Sequence, residues 1–511
     1  MSSHPRGTRR IGIDVGGTNT DAALLDGNTV IEALKTPTTD DVVSGVATAL
    51  AGVDHAGVAA IIVGTTHFTN AVVQRRGLNR VGFLRIGLPS GASLPPLVGW
   101  PADLAATVDG CSIMVRGGIE FDGRPFEQLD EAAVVESARR FADAGLTSIV
   151  VAGAFSPVDA SQEDRAAELL AEHLPGVRVT RSHRLGRLGL LERENAAGLN
   201  ACLVDLATAT IDAFRAALEA AGFDASTGLY LTQNDGTLLG LDEAARYPVL
   251  TFASGPTNSM RGAALLGGVT DGLVVDVGGT TADFGALVAG YPRQANAAVD
   301  VGGVRTLFQL PDLVSIGLGG GTRIHHDPLR LGPESVGQLL TTAALAFGGD
   351  TATVTDAALA TGRLTIDGAQ SIEIGDATSV LDLASTMIAD NADRMKLTAD
   401  QVPLVAVGGG AFVVDDELPG IGEVIRPEHG DTANAVGAAL AEVSGETDQV
   451  FRDLGRDAAI EAALAQAGER AVSAGADPST LTTIELEDLP LAYLPGDARR
   501  VRARVVGQLL L

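Results

Sequence analysis

The sequence predicts an α/β protein built from two related halves that face each other across a cleft. Two observations carry that expectation. Short apolar runs alternate with longer helical patterns along the chain, the order that lays helices over strands. Residues 13–21, IDVGGTNTD, also return near the middle of the chain as residues 275–283, VDVGGTTAD. Both copies follow an apolar strand and precede a second apolar run (22–25 and 284–288), so each reads as a hairpin bent at a Gly-Gly turn.

Taken in order, strands are expected at 11–15, 60–63, 81–86, 148–152, 274–277 and 405–407. Helices are expected over 130–144, 163–173, 192–221, 380–396 and 432–443, the long one at 192–221 acting as a spine between the halves. Beyond about residue 445 a helical stretch with i,i+4 charges (448–464) leads to two strand-like runs, 482–487 and 501–506. The turn Leu494-Pro495-Gly496-Asp497 parts them. The pattern divides the chain into an N-terminal lobe (1–200), a second lobe (201–445) and a small C-terminal α+β extension (446–511).

At 511 residues the chain is too long for one core, and 46% hydrophobic against 20% charged residues supports packed interiors. Lys and Arg number 36 against 64 Asp and Glu, a net charge of −28. A basic face for nucleic acid is therefore excluded, and any anion must be held by local dipoles or by a metal ion. No run approaches the ~18 apolar residues of a membrane span. The polar, basic start carries no secretory signal, and two cysteines, Cys111 and Cys202, exclude a disulfide framework. A cytoplasmic protein with neither nucleic-acid nor membrane partners is expected.

Each Asp-Val-Gly-Gly-Thr turn supplies what a polyphosphate needs. Gly16 and Gly17, and Gly278 and Gly279, let successive N–H groups point inward as an anion cradle. Thr18 and Thr280 add hydroxyl donors, with Asn19 and Thr281 beside them. Asp14 and Asp276 repel a phosphate, so they make sense as partners of a Mg²⁺ ion and its waters. Asp21 and Asp283, seven positions further on, orient the loop or join the metal shell. One such turn alone favours a plain Asx-capped hairpin; two matching copies have no packing reason to repeat the same acids and glycines. A third cluster, Gly408-Gly409-Gly410, lets a flat ring lie against backbone or makes a simple strand-to-helix turn. Gly319-Gly320-Gly321-Thr322 reads as a phosphate-side or substrate-side loop, and the Ala- and Gly-rich stretch 432–443 permits a close helix crossing.

These features resemble the actin, sugar-kinase and 70-kDa heat-shock ATPase superfamily. More narrowly, residues 12–21, 64–77 (GTTHFTNAVVQRRG), 254–263 (SGPTNSMRGA), 276–283, 317–322 (GLGGGT), 331–335 (LGPES), 354–364 (VTDAALATGRL) and 405–437 resemble the A-type subunit of the hydantoinase/oxoprolinase family. The resemblance implies two pseudo-symmetric ribonuclease-H-like (actin-like ATPase) domains around a nucleotide cleft, with ATP and Mg²⁺ as cofactors. It implies that the γ-phosphoryl group passes to the carbonyl oxygen of a cyclic amide or imide, such as hydantoin or 5-oxoproline, which water then opens. Catalytic roles are implied for Asp14, Asp276 and Asp283, with Mg²⁺ at Asp14 and Asp276. The small-molecule substrate is expected near Thr65, Thr66, Asn70, Arg75 and Asn195, and a second, B-type subunit or further copies of the chain are the expected partners.

Competing readings stay open at several of these positions. For Thr65 and Thr66 it is helix N-capping, with Arg75 solvated; for the run Glu192-Arg193-Glu194-Asn195 it is acids complementing a helix dipole. The family's Asp-x-His-Thr run is here Asp312-Leu313-Val314-Ser315, and residues 342–348 replace its Pro-Ala-Cys-Tyr-Gly-like segment. His325 and His326 read as loop residues, Cys202 as a buried small hydrophobe, and His67 and His183 as isolated histidines without a role. A small-molecule kinase of the same superfamily, or a nucleotide-regulated non-catalytic or carboxylase-type subunit, stands as the alternative to the hydrolase.

Overall fold

The computed structural model describes residues 9–16, 19–37, 42–185, 188–223, 227–295, 299–308, 310–492 and 496–510. Two sheets share one internal order. In the first, Arg9–Val15 lies third from one edge, antiparallel to Asn19–Asp26, which in turn pairs with the edge strand Thr29–Pro37. On its other side Val58–Thr65 and then Gly228–Thr232 run parallel to it. In the second sheet Gly272–Val277 takes the central place, with Ala282–Val288 and Tyr291–Pro292 antiparallel on one side. Leu404–Val407 and Val424–Ile425 run parallel on the other. The fold is thus α/β, a pseudo-symmetric pair of ribonuclease-H-like lobes of the actin-like kind.

The strands Arg9–Val15 and Gly272–Val277 owe their place to their apolar alternation: Ile11, Ile13 and Val15 in one, Val275 and Val277 in the other, are buried in separate cores. On the opposite face of the first strand Gly12 leaves room for the helix Ala433–Ala439. A Cβ there would lie inside 3.0 Å of the Ala435 carbonyl and the Ala439 nitrogen. The same helix crosses Ser254–Gly267, with Gly262 against the backbone of Ala433 and Gly437 against that of Asn258. The small residues of this stretch therefore bring two helices and a strand from different halves into backbone contact.

Inserted between Val58–Thr65 and Gly228–Thr232 is a further parallel sheet in the order Arg178–Arg181, Ser148–Gly153, Val81–Leu88, Asp109–Arg116. Helices Glu131–Asp143 and Ser161–His173 belong to this insertion. The first is capped by Asp130, whose carboxylate accepts from Ala133 N at 3.0 Å, and it buries Val134, Ala138 and Phe141 at helical spacing.

The structure differs from the sequence expectations in five places. The spine expected at 192–221 is two helices, Leu190–Ala201 and Val204–Ala220. At the break Ser148 Oγ and Asn79 N donate to the carbonyls of Ala201 and Cys202, so the insertion takes groups a continuous helix would use. Residues 448–451, expected as helix, end the strand Glu442–Phe451, whose alternate residues Val443, Gly445 and Thr447 face inward; the helix is Arg456–Ser473. The strands Glu442–Phe451, Arg499–Gly507 and Thr482–Pro490 extend the first sheet through Thr237–Gly240 and do not stand apart. That sheet also includes Gly228–Thr232, so its membership crosses the division drawn at residue 200. His325 and His326 lie on a strand, Thr322–His326, hydrogen-bonded to Glu334 and Asp376 respectively. Cys202 is fully buried, as a small hydrophobe would be, and burial pushes its thiol up to about 12. Among the described residues no helix is long and apolar enough to cross a membrane.

Candidate active site

The two hairpins match bond for bond. Asp14 stands opposite Asp21 and Asp276 opposite Asp283 in the same antiparallel register. Gly16 N donates to Asn19 O at 3.0 Å, and Gly278 N to Thr281 O at 2.9 Å. Gly17 and Thr18 lie outside the described residues.

In the second half the three glycine clusters gather on one turn. Gly320 N donates to Gly278 O at 3.1 Å and Gly321 N to Gly279 O at 2.7 Å, while Gly410 N donates to Val277 O at 2.7 Å. A Cβ on Gly319 would strike the turn backbone, and one on Gly408 would strike the Asp276 carboxylate. Gly319, Gly320, Gly408 and Gly410 thus support the turn from behind. Gly279 and Gly409 differ: a Cβ on either would meet no atom within 4 Å, and both are exposed. Thr280 and Thr281 are exposed beside them, with Thr280 Oγ1 donating to Ser335 Oγ at 3.3 Å.

Asp14 is the centre of the first half's contribution. Only 4% exposed, it accepts from Asn434 Nδ2 through Oδ2 at 3.2 Å, and its Oδ1 is buried without a hydrogen-bond partner among the described residues. The Oγ of Ser254 and the Oδ1 of Asn258, on the first turns of the helix Ser254–Gly267, are likewise buried without a partner among the described residues, while Ser259 on the same turns sets its hydroxyl against Asp276. Gly64 makes the approach possible, since a Cβ there would lie 2.7 Å from Asp14 Oδ1 and 2.5 Å from Asn258 Nδ2. Burial, and then repulsion from Asp21 and Asp276, raises the Asp14 carboxyl to about 7. Burial likewise raises Asp276, and it lifts Asp283 to about 6 against a hydrogen bond to Ser315. Asp21 is raised by burial even though Lys35 Nζ binds its two oxygens at 2.8 and 2.9 Å. The arrangement is a pocket of carboxyls held short of their full charge, a place that favours a cation. Among the described residues no three His, Cys, Asp or Glu side chains converge as a metal cage.

The expected substrate residues fall into two groups. Thr65 is buried and its Oγ1 accepts from His67 N at 3.1 Å, which starts the helix His67–Gln74. Thr66 makes no side-chain bond to the helix backbone; its Oγ1 accepts from Asn70 Nδ2 at 3.3 Å, and its methyl faces Gly255, which in turn faces Asp14. Thr66 and Asn70 therefore border the acid cluster. Arg75 is anchored instead of solvated. It ends the same helix at φ 56, pairs with Asp103 at 3.0 Å and donates to the carbonyls of Val72 and Gly302 at 2.9 and 3.0 Å. Asn195 is 8% exposed, accepts from Trp100 Nε1 at 2.7 Å and donates to Arg305 O at 2.9 Å, which clamps its helix to a neighbouring hairpin. Its neighbours Arg193 and Glu194 are also buried, Glu194 pairing with Arg85 and Arg193 donating to Ser182 Oγ at 2.8 Å. The Glu-Arg-Glu-Asn run serves packing through these contacts.

Sequence reading passed over Lys35, Asn434, Ser254, Asn258 and Ser259 as individual site residues. Lys35 had a signal: it is the cross-strand partner of Asp21 in the next strand, a charge pair a hairpin model could have found. Asn434, 420 residues from Asp14, had none.

Two lobes of one topology, each carrying an acid and a glycine turn at the same place in its sheet, define an actin-like two-lobed fold. Within that class the chain belongs to the hydantoinase/oxoprolinase family: the model of the family's N-terminal region matches residues 10–174 and the hydantoinase/oxoprolinase model residues 193–371. Similar proteins include the alpha subunit of a caprolactamase from Pseudomonas jessenii, 28% identical over 398 residues, which cover 70% of this chain and 55% of the relative. The gamma subunit of an acetophenone carboxylase from Aromatoleum aromaticum is 28% identical over 405 residues, 70% of this chain and 53% of the relative. The chain thus spans about half the length of these curated relatives. The fold is shared with the crystal structure of an ATP-dependent caprolactamase from Pseudomonas jessenii (TM-score 0.80, 21% identity, 98% of this chain and 88% of that one). A nucleotide-free acetone carboxylase structure is also similar (TM-score 0.66, 19% identity, 99% and 88%).

Proposed function

We propose that the protein is an ATP-dependent hydrolase subunit that opens a cyclic amide or imide, such as hydantoin, 5-oxoproline or a related lactam, by phosphorylation of its carbonyl oxygen. The observation that carries this reading is the pair of acid-and-glycine turns in matching register, the first of them with Asp14 Oδ1 buried and without a partner among the described residues. The naming of one relative as a caprolactamase alpha subunit supports it, and that name together with the gamma subunit of an acetophenone carboxylase supports a second chain as partner.

In this reading the exposed turn at Gly279, Thr280 and Thr281 offers N–H and hydroxyl donors to the triphosphate, and Gly409 leaves the flat space a base requires. Asp14 and Asp276 fit a Mg²⁺ ion, because an orphaned, half-neutralised carboxylate oxygen gains a partner and full charge when a cation arrives. Mg²⁺ bound there would offset the charge of the polyphosphate during transfer. Asp283 holds the returning strand of the second turn in register with Asp276. Thr66 and Asn70, at the rim of the acid cluster, orient the amide; Thr65, Arg75 and Asn195 hold the elements that carry that rim.

Incubation of the native protein, with any subunit that accompanies it, with ATP, Mg²⁺ and a cyclic-amide panel tests the proposal. Ring opening tied to free phosphate is the expected result, and a phosphorylated product without phosphate release would make it a kinase. The carboxylase relative favours one second reading, in which the same transfer falls on an enolate oxygen; ketone- and bicarbonate-dependent phosphate release would mark it.

A further inference from the structure

On the first sheet one row of residues runs across neighbouring strands. Lys35 stands opposite Asp21, Asp21 opposite Asp14, and Asp14 beside Gly64, each in register with the next. Residues paired in register share a face of the sheet, so the ammonium and both carboxyls lie on one side of it. Lys35 Nζ donates to the two oxygens of Asp21 at 2.8 and 2.9 Å. An ammonium carries three donors, and these bonds take two of them. The lysine side chain is 30% exposed where that of Asp21 is 9%, which leaves the third donor within reach of a ligand.

The second sheet shows what this lysine is not for. Its row repeats the acids, Asp283 opposite Asp276, but the next strand brings Ser315, whose hydroxyl bonds to Asp283. The same hairpin thus keeps its second carboxyl with a hydroxyl in place of a cation. A counter-ion is no requirement of the turn, and at this position the two copies part.

Residue type narrows the role. Of the chain's 36 Lys and Arg residues only Lys35 and Lys396 are lysines. Elsewhere arginine stands against buried carboxylates, as in Arg85–Glu194, Arg499–Asp488 and Arg504–Asp235. The arginine fork locks onto one carboxylate, whereas an ammonium is a point charge on a flexible stem that can hold a carboxylate and a phosphate oxygen together. The charge of Lys35 also reaches past its own pair: it favours the ionised forms of Asp14 on its own lobe and of Asp276 on the other.

We infer that Lys35 Nζ binds the terminal phosphoryl group of the nucleotide while it holds Asp21, and so adds affinity for a triphosphate that a diphosphate does not gain. The inference rests on the ATP-dependent reading above. In that reading the turn Gly279–Thr281 on the second lobe serves the inner phosphates. Lys35, on the first lobe and in the row of Asp14, meets the end of the tail that crosses between the lobes.

Calorimetric titration of the native protein, with any accompanying subunit, tests it with two probes, Mg·ADP and the magnesium complex of a non-hydrolysable ATP analogue. Lys35→Met is expected to weaken analogue binding roughly 10–10²-fold. ADP binding is expected to stay within about threefold of the wild type. The double variant Asp21→Asn, Lys35→Met removes the buried charge together with its partner, so it is expected to fold and to show the same loss. It decides the matter where the single variant does not fold. Analogue binding within about threefold of wild type in either folded variant overturns the inference, as does an equal loss for ADP. Recovery of analogue binding in the double variant also overturns it, since the lysine would then serve Asp21 alone. A wild type that binds neither nucleotide overturns the ATP reading and this inference with it. The expected losses in a protein that opens no ring in a cyclic-amide panel uphold Lys35 and overturn the reaction class instead.

Discussion

Asp14 is the residue at which folding and chemistry pull in opposite directions. Its carboxyl titrates near 3.8 in an unfolded chain and is raised to about 7 in the fold by burial and by its acidic neighbours. A raised carboxyl favours the folded state below the unfolded value, and that contribution is lost as pH climbs through the folded one. The free protein is therefore expected to lose thermal stability between pH 3.8 and about 7 through this group, and Mg·ATP to restore it. Asp14→Asn is expected to reduce the pH dependence, leaving the share of Asp21, Asp276 and Asp283, and to raise Tm above neutral pH by roughly 2–4 °C, while slowing ATP turnover by about 10²-fold or more. Melts across pH beside phosphate-release assays check both; an unchanged pH slope in the variant would count against the buried acid. The buried Arg85–Glu194 pair makes a second, purely structural prediction. Glu194→Ala leaves a guanidinium without its partner and is expected to cost about 3–5 kcal/mol, read by denaturant titration.

Among whole elements, the glycine turns and the helix crossing separate close packing from open space. Gly437 sits against the Asn258 carbonyl with no room for a methyl, so Gly437→Ala is expected to lower stability by about 1–3 kcal/mol or to prevent folding. Gly279 and Gly409 have nothing within 4 Å of a Cβ, so Gly279→Ala and Gly409→Ala are expected to fold like the wild type. If the space is the nucleotide's, both raise KM for ATP by about tenfold, a difference of roughly 1.4 kcal/mol. Circular dichroism with ATP kinetics on these three variants distinguishes the roles; a normal KM in both open-space variants would remove the turn from the nucleotide site.

For the whole molecule, the C-terminal strands matter more than an appendage would. They continue the first sheet beyond Thr237–Gly240, and the alanine stripe Ala459, Ala463, Ala467 and Ala471 of the last helix covers them. Truncation after residue 441 would bare a strand edge and its apolar face, so the shortened chain is expected to aggregate. Size-exclusion profiles test this, and a monomeric truncated protein would contradict it. Because Gly12, Gly262 and Gly437 set the strand–helix and helix–helix contacts between the halves, lobe closure is expected to pivot there. Compaction in solution scattering on adding a non-hydrolysable ATP analogue is the expected result.

By itself the sequence determined the two-lobed α/β plan and the twin hairpins, because period-two apolar runs and a duplicated acid-and-glycine turn are local patterns that survive in one dimension. It also marked the small-residue crossing, since only glycine and alanine allow backbones to touch. Tertiary structure alone decided where the break falls at Cys202, which three strands complete the first sheet, and which glycines face open space and which face backbone. It alone joined Asp14 to Asn434 and His183 to Glu163, and it turned Arg75 and Asn195 into anchors. The reason is the same in each case: a hydrogen bond or a desolvated charge depends on atoms hundreds of residues or several elements away, and no spacing along the chain records that distance.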